Sequence, residues 1–142
     1  MSSLLRPFSP DEERFVEEFE NGDLDELDHE AHVRLAYLYL RRDELLIALR
    51  RFVDDVKRFA VGKGVPEHYH ETVTASYFLL IHERMSATPA LDWSAYRAKH
   101  ADLLEKGWGL LRHYYRNETL TSPSARATFR LPDADPGRPQ RV

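Results

Sequence analysis

Apolar residues recur every three to four positions through most of this chain, which is the spacing of amphipathic helices. After Ser9-Pro10, a capping residue followed by a proline suited to a first helical turn, the pattern predicts a short helix that ends near Asn21-Gly22. Asp28 is placed to cap a second helix. The clearest stripe predicts a third helix, and its apolar residues are Leu45, Leu49, Phe52, Val53, Val56, Phe59 and Ala60. Whether residues 28–61 form one helix or two stays open, because the charged run at 41–44 fits a turn or a continuous helix.

The second half of the chain continues the helical pattern with more interruptions. Pro66 predicts the start of a fourth helix, which ends in the Ser86–Pro89 segment. Asp92 is placed to cap a fifth segment that reaches Tyr114, with Gly107 and Gly109 as weak points where it bends. A short last helix is predicted to begin at Ser122-Pro123.

These patterns together predict an all-α protein. No stretch rich in Val, Ile or Thr alternates with polar residues for long enough to indicate a strand. We expect a single-domain bundle of about five helices over residues 8–131. Residues 132–142 contain too little apolar surface to offset the entropy lost on ordering, so we expect a disordered, flexible C-terminal tail there.

Composition narrows the chemistry that this bundle can perform. The 142-residue chain has no cysteine, which removes disulfides, thiolate metal sites and thiol nucleophiles and leaves histidine and carboxylate as metal ligands. Its formal net charge of −4 argues against a partner as negatively charged as nucleic acid. No apolar run is long enough to span a membrane and the N-terminal residues do not resemble a secretory signal, so we expect a cytoplasmic protein with no membrane partner.

Two of the seven histidines fall inside apolar stripes, where an imidazole needs a reason to be buried. His29 and His32 lie three residues apart near the start of the second helix and project from the same side. That spacing suits a pair of metal ligands. It equally suits a solvated His29 at the helix start and a His32 hydrogen-bonded in the core.

His70, Glu71 and Thr74 form the second candidate group, near the start of the fourth helix. His70 and Thr74 are one turn apart on a face directed at the core, and Glu71 lies about a quarter turn away. The alternative for Glu71 is a favourable carboxylate in the first turn of a helix. The His-Glu-x-x-His metalloprotease motif is excluded because its second histidine is missing.

Bundle topology brings the two groups together. Short connections make successive helices alternate in direction, so the second and fourth helices should run parallel with their first turns at one end. We therefore expect His32 and His70 to face a common pocket. Two helix N-termini aimed at that pocket would favour an anionic ligand.

A third group follows at His113-Tyr114-Tyr115 and near Arg126. One tyrosine is expected to pack in the core while Tyr114 offers its hydroxyl to a substrate. Arg126, on the short last helix, suits bidentate binding of a carboxylate or phosphate, although a surface ion pair with Glu118 explains it as well.

A resemblance adds to this interpretation. The segments at 27–40, 69–74, 113–115 and 125–126 resemble a small bacterial family of all-helical proteins that has no established activity. The similarity extends over most of residues 15–133. It implies shared polar positions and says nothing about a reaction or cofactor.

Two functions from different classes follow. In the first, His32, His70 and Glu71 are catalytic and perform acid–base chemistry on a small anionic molecule that Thr74, Tyr114 and Arg126 bind. One version of this site holds a divalent metal ion on His29, His32 and His70. In the second, the protein is a non-catalytic interaction module, in which residues 31–64 resemble one tetratricopeptide-type hairpin, although no second copy of that repeat is visible.

Overall fold

A computed structural model describes residues 7–88 and 92–134 of the chain. Within these two ranges there are seven α-helices, three 3₁₀ turns and no strand. The α-helices α1 to α7 span Pro10–Glu20, His29–Arg42, Leu45–Gly62, Glu71–Ala87, Trp93–Lys99, Asn117–Leu120 and Pro123–Ala127. The predicted all-α class is confirmed. The described helices exceed the predicted number of about five because the region after α4 is divided into short pieces.

Local sequence signals place most helix starts. The side chains of Ser9, Asp28, Asp92 and Ser122 each accept a hydrogen bond from a backbone N–H in the first turn of the helix that follows, as predicted. At Ser9 the cap is reciprocal, since the Glu12 side chain accepts from the Ser9 N–H. These bonds satisfy donors that a helix N-terminus leaves without intrahelical partners.

The charged run after α2 is a turn. Asp43 and Glu44 both adopt extended backbone conformations, which separates α2 from α3 and settles the question that the sequence left open. α3 returns alongside α2, and α4 packs against both helices. Lys57, near the end of α3, lies over Tyr69 just before α4, and Phe52, earlier in α3, packs on Phe78, later in α4, so these two helices are antiparallel. α2, which is antiparallel to α3, therefore runs in the same direction as α4.

An aromatic cluster fills the centre of this arrangement. Phe52 of α3 packs on Phe78 of α4 with ring centroids 5.0 Å apart, and on Tyr39 of α2 at 5.3 Å. Phe19 of α1 contacts Phe52 at 6.5 Å and Phe59 at 5.6 Å. Four helices therefore share one core, and the polar residues of α2 and α4 that line it are held by rigid neighbours.

The fourth helix begins later than predicted. Pro66–His68 form a separate 3₁₀ turn, Tyr69 and His70 are extended, and α4 starts at Glu71. The prediction placed His70 inside the helix, one turn before Thr74. His70 is instead the N-cap residue, and this changes what its side chain can do.

The predicted fifth helix stops early. α5 is only seven residues long, and 3₁₀ turns at Ala101–Leu104 and Leu110–His113 follow it. Between those turns Gly107 and Trp108 both have positive φ, at 80° and 65°. Glycine tolerates that conformation, and the Trp108 ring is held against His70 with centroids 5.2 Å apart.

The segment after α7 is tied to the bundle by polar contacts. The Thr72 hydroxyl donates to the Thr128 carbonyl at 2.9 Å and accepts from the Arg130 N–H at 3.1 Å. The N–H groups of Asp133 and Ala134 both donate to the Tyr114 carbonyl. The first three residues of the predicted tail, 132–134, thus include two that are hydrogen-bonded to the bundle, while 135–142 lie outside the described residues.

Candidate functional site

His70 is buried, and both of its ring nitrogens are occupied. Its Nδ1 accepts a hydrogen bond from the Val73 N–H at 3.2 Å, and its Nε2–H donates to the Leu120 carbonyl at 2.8 Å. These bonds require the neutral tautomer that carries its proton on Nε2. Burial, opposed in part by the Leu120 bond, lowers the pKa of His70, and the nearby Arg126 charge lowers it further. The ring caps α4 and ties it to α6, with neither nitrogen left for a substrate.

His32 is in the opposite situation. Its Nε2 is enclosed by protein atoms and has no hydrogen-bond partner, although part of the side chain still reaches solvent. The ring packs 5.2 Å from the centroid of Phe52. Burial and the charge of His29 lower the pKa of His32 to about 4, so the imidazole is neutral at pH 7.

Tyr77 contributes a second unpartnered polar atom at the same place. The residue is only 3% exposed, yet its hydroxyl makes no hydrogen bond. Burial and the negative charge of Glu105 raise the pKa of Tyr77 to about 12, so the phenol stays protonated. A buried hydroxyl without a partner typically costs about 1–3 kcal/mol, which makes two such atoms at one place unusual.

Both atoms belong to residues that line one small cavity between α2 and α4, which we call the His32 cavity. It is closed in the ligand-free protein, since no part of it takes a sphere the size of a water molecule. Its lining consists of His29, His32, Val33, Ala36, Phe52, Thr74, Tyr77, Phe78 and Ile81. The predicted site residues His29, His32 and Thr74 therefore meet here.

His29 forms one side of the cavity and is anchored from outside it. Its Nε2–H donates to the Leu103 carbonyl at 2.8 Å, and its ring contacts Tyr77 edge-on with centroids 4.9 Å apart. His29 and His32 both keep some exposed surface. The cavity therefore lies just beneath the molecular surface at the start of α2.

The predicted partner of His32 is absent from this cavity because α2 and α4 are offset along their length. His29, at the start of α2, contacts Tyr77, which is six residues into α4. At about 1.5 Å per residue, His70, the N-cap of α4, lies about 10 Å before Tyr77 along the helix axis. The two helices run in the same direction as predicted, but their first turns are at different levels.

Glu71 and Arg126 lie on other surfaces. The Glu71 carboxylate accepts a hydrogen bond from the Tyr69 hydroxyl. The exposed Arg126 guanidinium donates to the carbonyls of Glu67 and Tyr69 at 2.8 and 3.1 Å, rather than pairing with Glu118. Arg126 thus fastens α7 to the segment before α4.

Tyr114 is exposed, and Tyr115 is the tyrosine that packs in the core. The Tyr115 hydroxyl donates to the Arg130 carbonyl at 2.7 Å and also bonds the Ser76 hydroxyl at 2.9 Å. Of this group, the carbonyl of Tyr114 and the hydroxyl of Tyr115 are both used to hold the C-terminal segment.

The structure does not gather a metal-binding set. Among residues 7–88 and 92–134, no three histidine or acidic side chains are placed to hold one ion together. His29 and His32 are neighbours, but His70 is separated from them by the offset of the helices. Both the Nε2 of His29 and that of His70 are already bonded to carbonyl oxygens.

A second cavity lies on the outside of the bundle, and we call it the α3–α4 groove. It has a volume of about 370 Å³ and is mainly apolar. Leu46, Leu49, Arg50, Val53, Glu71, Ala75, Leu79 and Phe129 line it. Glu71 is the one predicted site residue on this surface.

Tyr77 is the site residue that the sequence analysis does not single out. Its position in the apolar stripe of α4 predicts a core residue, and its ring is indeed buried. A buried tyrosine usually finds a hydroxyl partner, so a missing partner shows only when all neighbours are known.

No helix among the described residues is both long and apolar enough to cross a membrane. Comparison with known proteins adds no functional information: the chain matches no protein family, no curated protein and no solved structure. The function must therefore be argued from the geometry of the two cavities.

Proposed function

We propose that this protein binds a small, uncharged polar molecule in the His32 cavity. The observation that carries the proposal is that His32 and Tyr77, two residues that line one cavity, each carry an enclosed polar atom, Nε2 and Oη, that has no hydrogen-bond partner among the described residues. A ligand with one hydrogen-bond donor and one acceptor would satisfy both atoms. Binding would then recover the free energy that the ligand-free protein loses by leaving them unpaired.

The lining favours an uncharged ligand over the anion expected from the sequence. Among the residues that the structure describes, no lysine or arginine lines the cavity, and a neutral His32 offers no compensating charge. Burying an unpaired ion in such surroundings costs far more than burying a hydrogen-bonded neutral group. The two helix N-termini expected to attract an anion do not meet at this cavity, since the α4 N-terminus is capped by His70 at another level.

The proton affinities of the two groups favour binding over catalysis. An acid–base catalyst works best when its pKa lies near the operating pH. With pKa values of about 4 and about 12, His32 and Tyr77 lie far from neutrality on opposite sides. They are suited to donating and accepting hydrogen bonds without exchanging protons.

Binding requires the cavity to widen. Tyr77 and His29 line the cavity with their rings in edge-on contact, and His29 is held by its hydrogen bond to the Leu103 carbonyl, so the Tyr77 side is where the cavity can widen. Because no part of the cavity takes a water-sized sphere, the side chains around it must move for any ligand to enter, and a small ligand requires the least movement.

The test uses pyrazole, which carries one donor and one acceptor, and benzene, which has a similar size and neither group. We expect pyrazole to raise the melting temperature in a saturable manner and to shift the NMR signals of the His32 and Tyr77 rings. Tyr77→Phe should weaken pyrazole binding about tenfold, the equivalent of one hydrogen bond, while benzene is affected little.

Tyr96→Phe is the matched control, because the Tyr96 hydroxyl is equally buried but already donates to the Ile81 carbonyl at 2.9 Å. Pyrazole affinity should be unchanged in that variant. The proposal is wrong if pyrazole produces no saturable effect on the wild-type protein, or if it binds Tyr77→Phe as tightly as wild type.

A further inference from the structure

A group of polar side chains away from both cavities joins the end of α4 to the segment that follows it. Its members are Arg84, Thr88, His100 and Asp102, and we call it the His100 cluster. The Arg84 guanidinium donates to both carboxylate oxygens of Asp102, at 2.8 and 2.7 Å, and to His100 Nδ1 at 3.3 Å. The other ring nitrogen, Nε2, lies 3.1 Å from the Thr88 hydroxyl. The His100 residue is only 8% exposed, so these contacts surround its ring.

The contacts of His100 accept a neutral imidazole and not a charged one. The Thr88 hydroxyl donates its own proton to the Arg84 carbonyl at 2.7 Å, so it accepts from His100 Nε2–H. Nδ1 therefore turns its lone pair toward the Arg84 guanidinium. A second proton on the ring would set N–H against N–H and place a positive charge beside another positive charge.

The charged groups that face His100 do not compensate for that second proton. Arg84 on α4 and Lys99 on α5 both disfavour a positive ring. Asp102 is the acidic group that faces the ring, but both of its oxygens already accept from Arg84. Burial and the Arg84 charge lower the pKa of His100, and the Asp102 charge opposes them only in part.

The cluster holds residues 92–104, which contain α5 and the 3₁₀ turn after it and which we call the α5 arm. The cluster and the Tyr96 hydroxyl, which donates to the Ile81 carbonyl at 2.9 Å, attach the arm to α4. At its far end, the Leu103 carbonyl accepts from His29 Nε2–H, so the arm also holds one wall of the His32 cavity. A short segment with partly exposed attachments opens at a lower free energy than central helices do, so the arm can loosen by itself.

We propose that the His100 cluster is an acid-sensitive latch, in which a proton on His100 loosens the α5 arm from α4 while helices α1 to α4 stay folded. In the loosened arm both ring N–H groups of His100 donate to water, and Leu103 no longer anchors His29. The latch itself is independent of the proposed function. Its consequence for the His32 cavity, that acid frees the His29 wall for ligand entry, rests on that function.

Hydrogen exchange of the full-length protein without ligand tests the latch, so a failure of ligand binding does not affect the result. Exchange rates are corrected for the effect of pH on unprotected amides. A histidine in the opened arm titrates near pH 6.5, so at pH 5 acid favours the opened arm by at most about thirtyfold relative to pH 7.5. We expect amide protection in residues 92–104 to fall by about three- to thirtyfold over that range. Protection in α3 should stay higher than in the arm at pH 5.

Two glutamine variants identify the histidine responsible. His100→Gln keeps an acceptor for Arg84 and a donor for Thr88 but cannot be charged, so its arm should lose the pH response. His82→Gln is the matched control, because His82 lies on α4 near Arg84 but its ring takes no part in the hydrogen bonds of the cluster. This variant should respond to pH as wild type does.

An NMR titration of wild type checks the latch without any substitution. The His100 ring and the Tyr96 amide should titrate with one midpoint, below pH 6.5. The proposal is overturned if His100 gains its proton without a change at Tyr96, or if protection of the arm falls less than threefold. It is also overturned if the arm and α3 are equally protected at pH 5, if His100→Gln keeps the pH response, or if His82→Gln removes it.

Discussion

At the scale of single residues, the buried tyrosine hydroxyls of this protein differ in their hydrogen bonding. Tyr39 donates to Asp55 at 2.6 Å, Tyr96 donates to a helix carbonyl, and Tyr115 has two partners. Tyr77 alone among these four has none. Phenylalanine could replace Tyr77 without the loss of any hydrogen bond that the described residues make to its hydroxyl, and the proposed ligand would supply the missing partner.

Paired substitutions measure this difference without any ligand. Tyr77→Phe removes an unsatisfied buried hydroxyl and should raise the free energy of unfolding by about 1 kcal/mol. Tyr96→Phe removes a bond that is made and should lower it by about 1 kcal/mol. Urea unfolding at pH 7 measures both. Destabilisation by Tyr77→Phe of the same size as by Tyr96→Phe would show that the Tyr77 hydroxyl is already satisfied in the ligand-free protein.

The sequence pattern identified buried histidines but not what their rings do. The sequence pattern places His32 and His70 on apolar helix faces, and although His70 is the N-cap of α4, both rings are enclosed at their Nε2 atoms. Their difference depends on a carbonyl 50 residues away, at Leu120, which His70 reaches and His32 does not. Helical periodicity reports which side of a helix is buried, and it carries no information on distant hydrogen-bond partners.

At the scale of helices and turns, signals confined to four consecutive residues predicted well. Caps such as Asp28 and Asp92 act on an N–H three residues later, so the sequence contains the whole interaction. The start of α4 was missed because histidine is an uncommon N-cap, and its capping bond to Val73 is accompanied by the distant bond to Leu120. The offset between α2 and α4, which decides the membership of the His32 cavity, is likewise set by packing and not by any local signal.

Substitutions at two glycines can measure how strongly backbone conformation determines the end of α3 and the turn at Gly107 and Trp108. Gly62 ends α3 with ordinary helical geometry, whereas Gly107 has a φ of 80°, and a Cβ at either position would meet nothing within 4 Å. Gly62→Ala should therefore stabilise the protein by about 0.5–1 kcal/mol, and Gly107→Ala should destabilise it by about 1 kcal/mol. Thermal and urea unfolding of the two variants give the comparison. Equal effects of the same sign would show that the turn at Gly107 and Trp108 is not conformationally restrictive.

At the scale of the whole molecule, three histidines from different parts of the fold have pKa values shifted in the same direction. Burial lowers the pKa of His32, His70 and His100. The environments of His70 and His100 are built for neutral rings: each His100 nitrogen has a neighbour, Arg84 at Nδ1 and Thr88 at Nε2. The Thr88 hydroxyl donates to the Arg84 carbonyl, so His100 Nε2–H donates to Thr88 and Nδ1 accepts from Arg84.

These shifts predict that mild acid destabilises the fold before its carboxylates titrate. An unfolded histidine binds a proton near pH 6.5 and the folded ones bind it only at lower pH, so the unfolded chain holds more protons as the pH falls from 6.5. The contribution of these neutral histidines to the free energy of unfolding is therefore fully present above pH 6.5 and declines below it.

For His32, whose pKa is about 4, the loss by pH 4 is about 2 kcal/mol after allowing for the part of the ring that solvent reaches. Urea unfolding from pH 7.5 to 5 should show this decline, and His32→Phe should make it shallower, leaving the part that His70 and His100 contribute. Two outcomes would contradict this prediction: a free energy of unfolding that stays constant between pH 7.5 and 5, or a slope that His32→Phe leaves unchanged. Either would mean that the His32 ring is protonated in the folded protein as readily as in the unfolded chain. The proposed ligand class depends on a neutral imidazole at His32 and would then lose its basis.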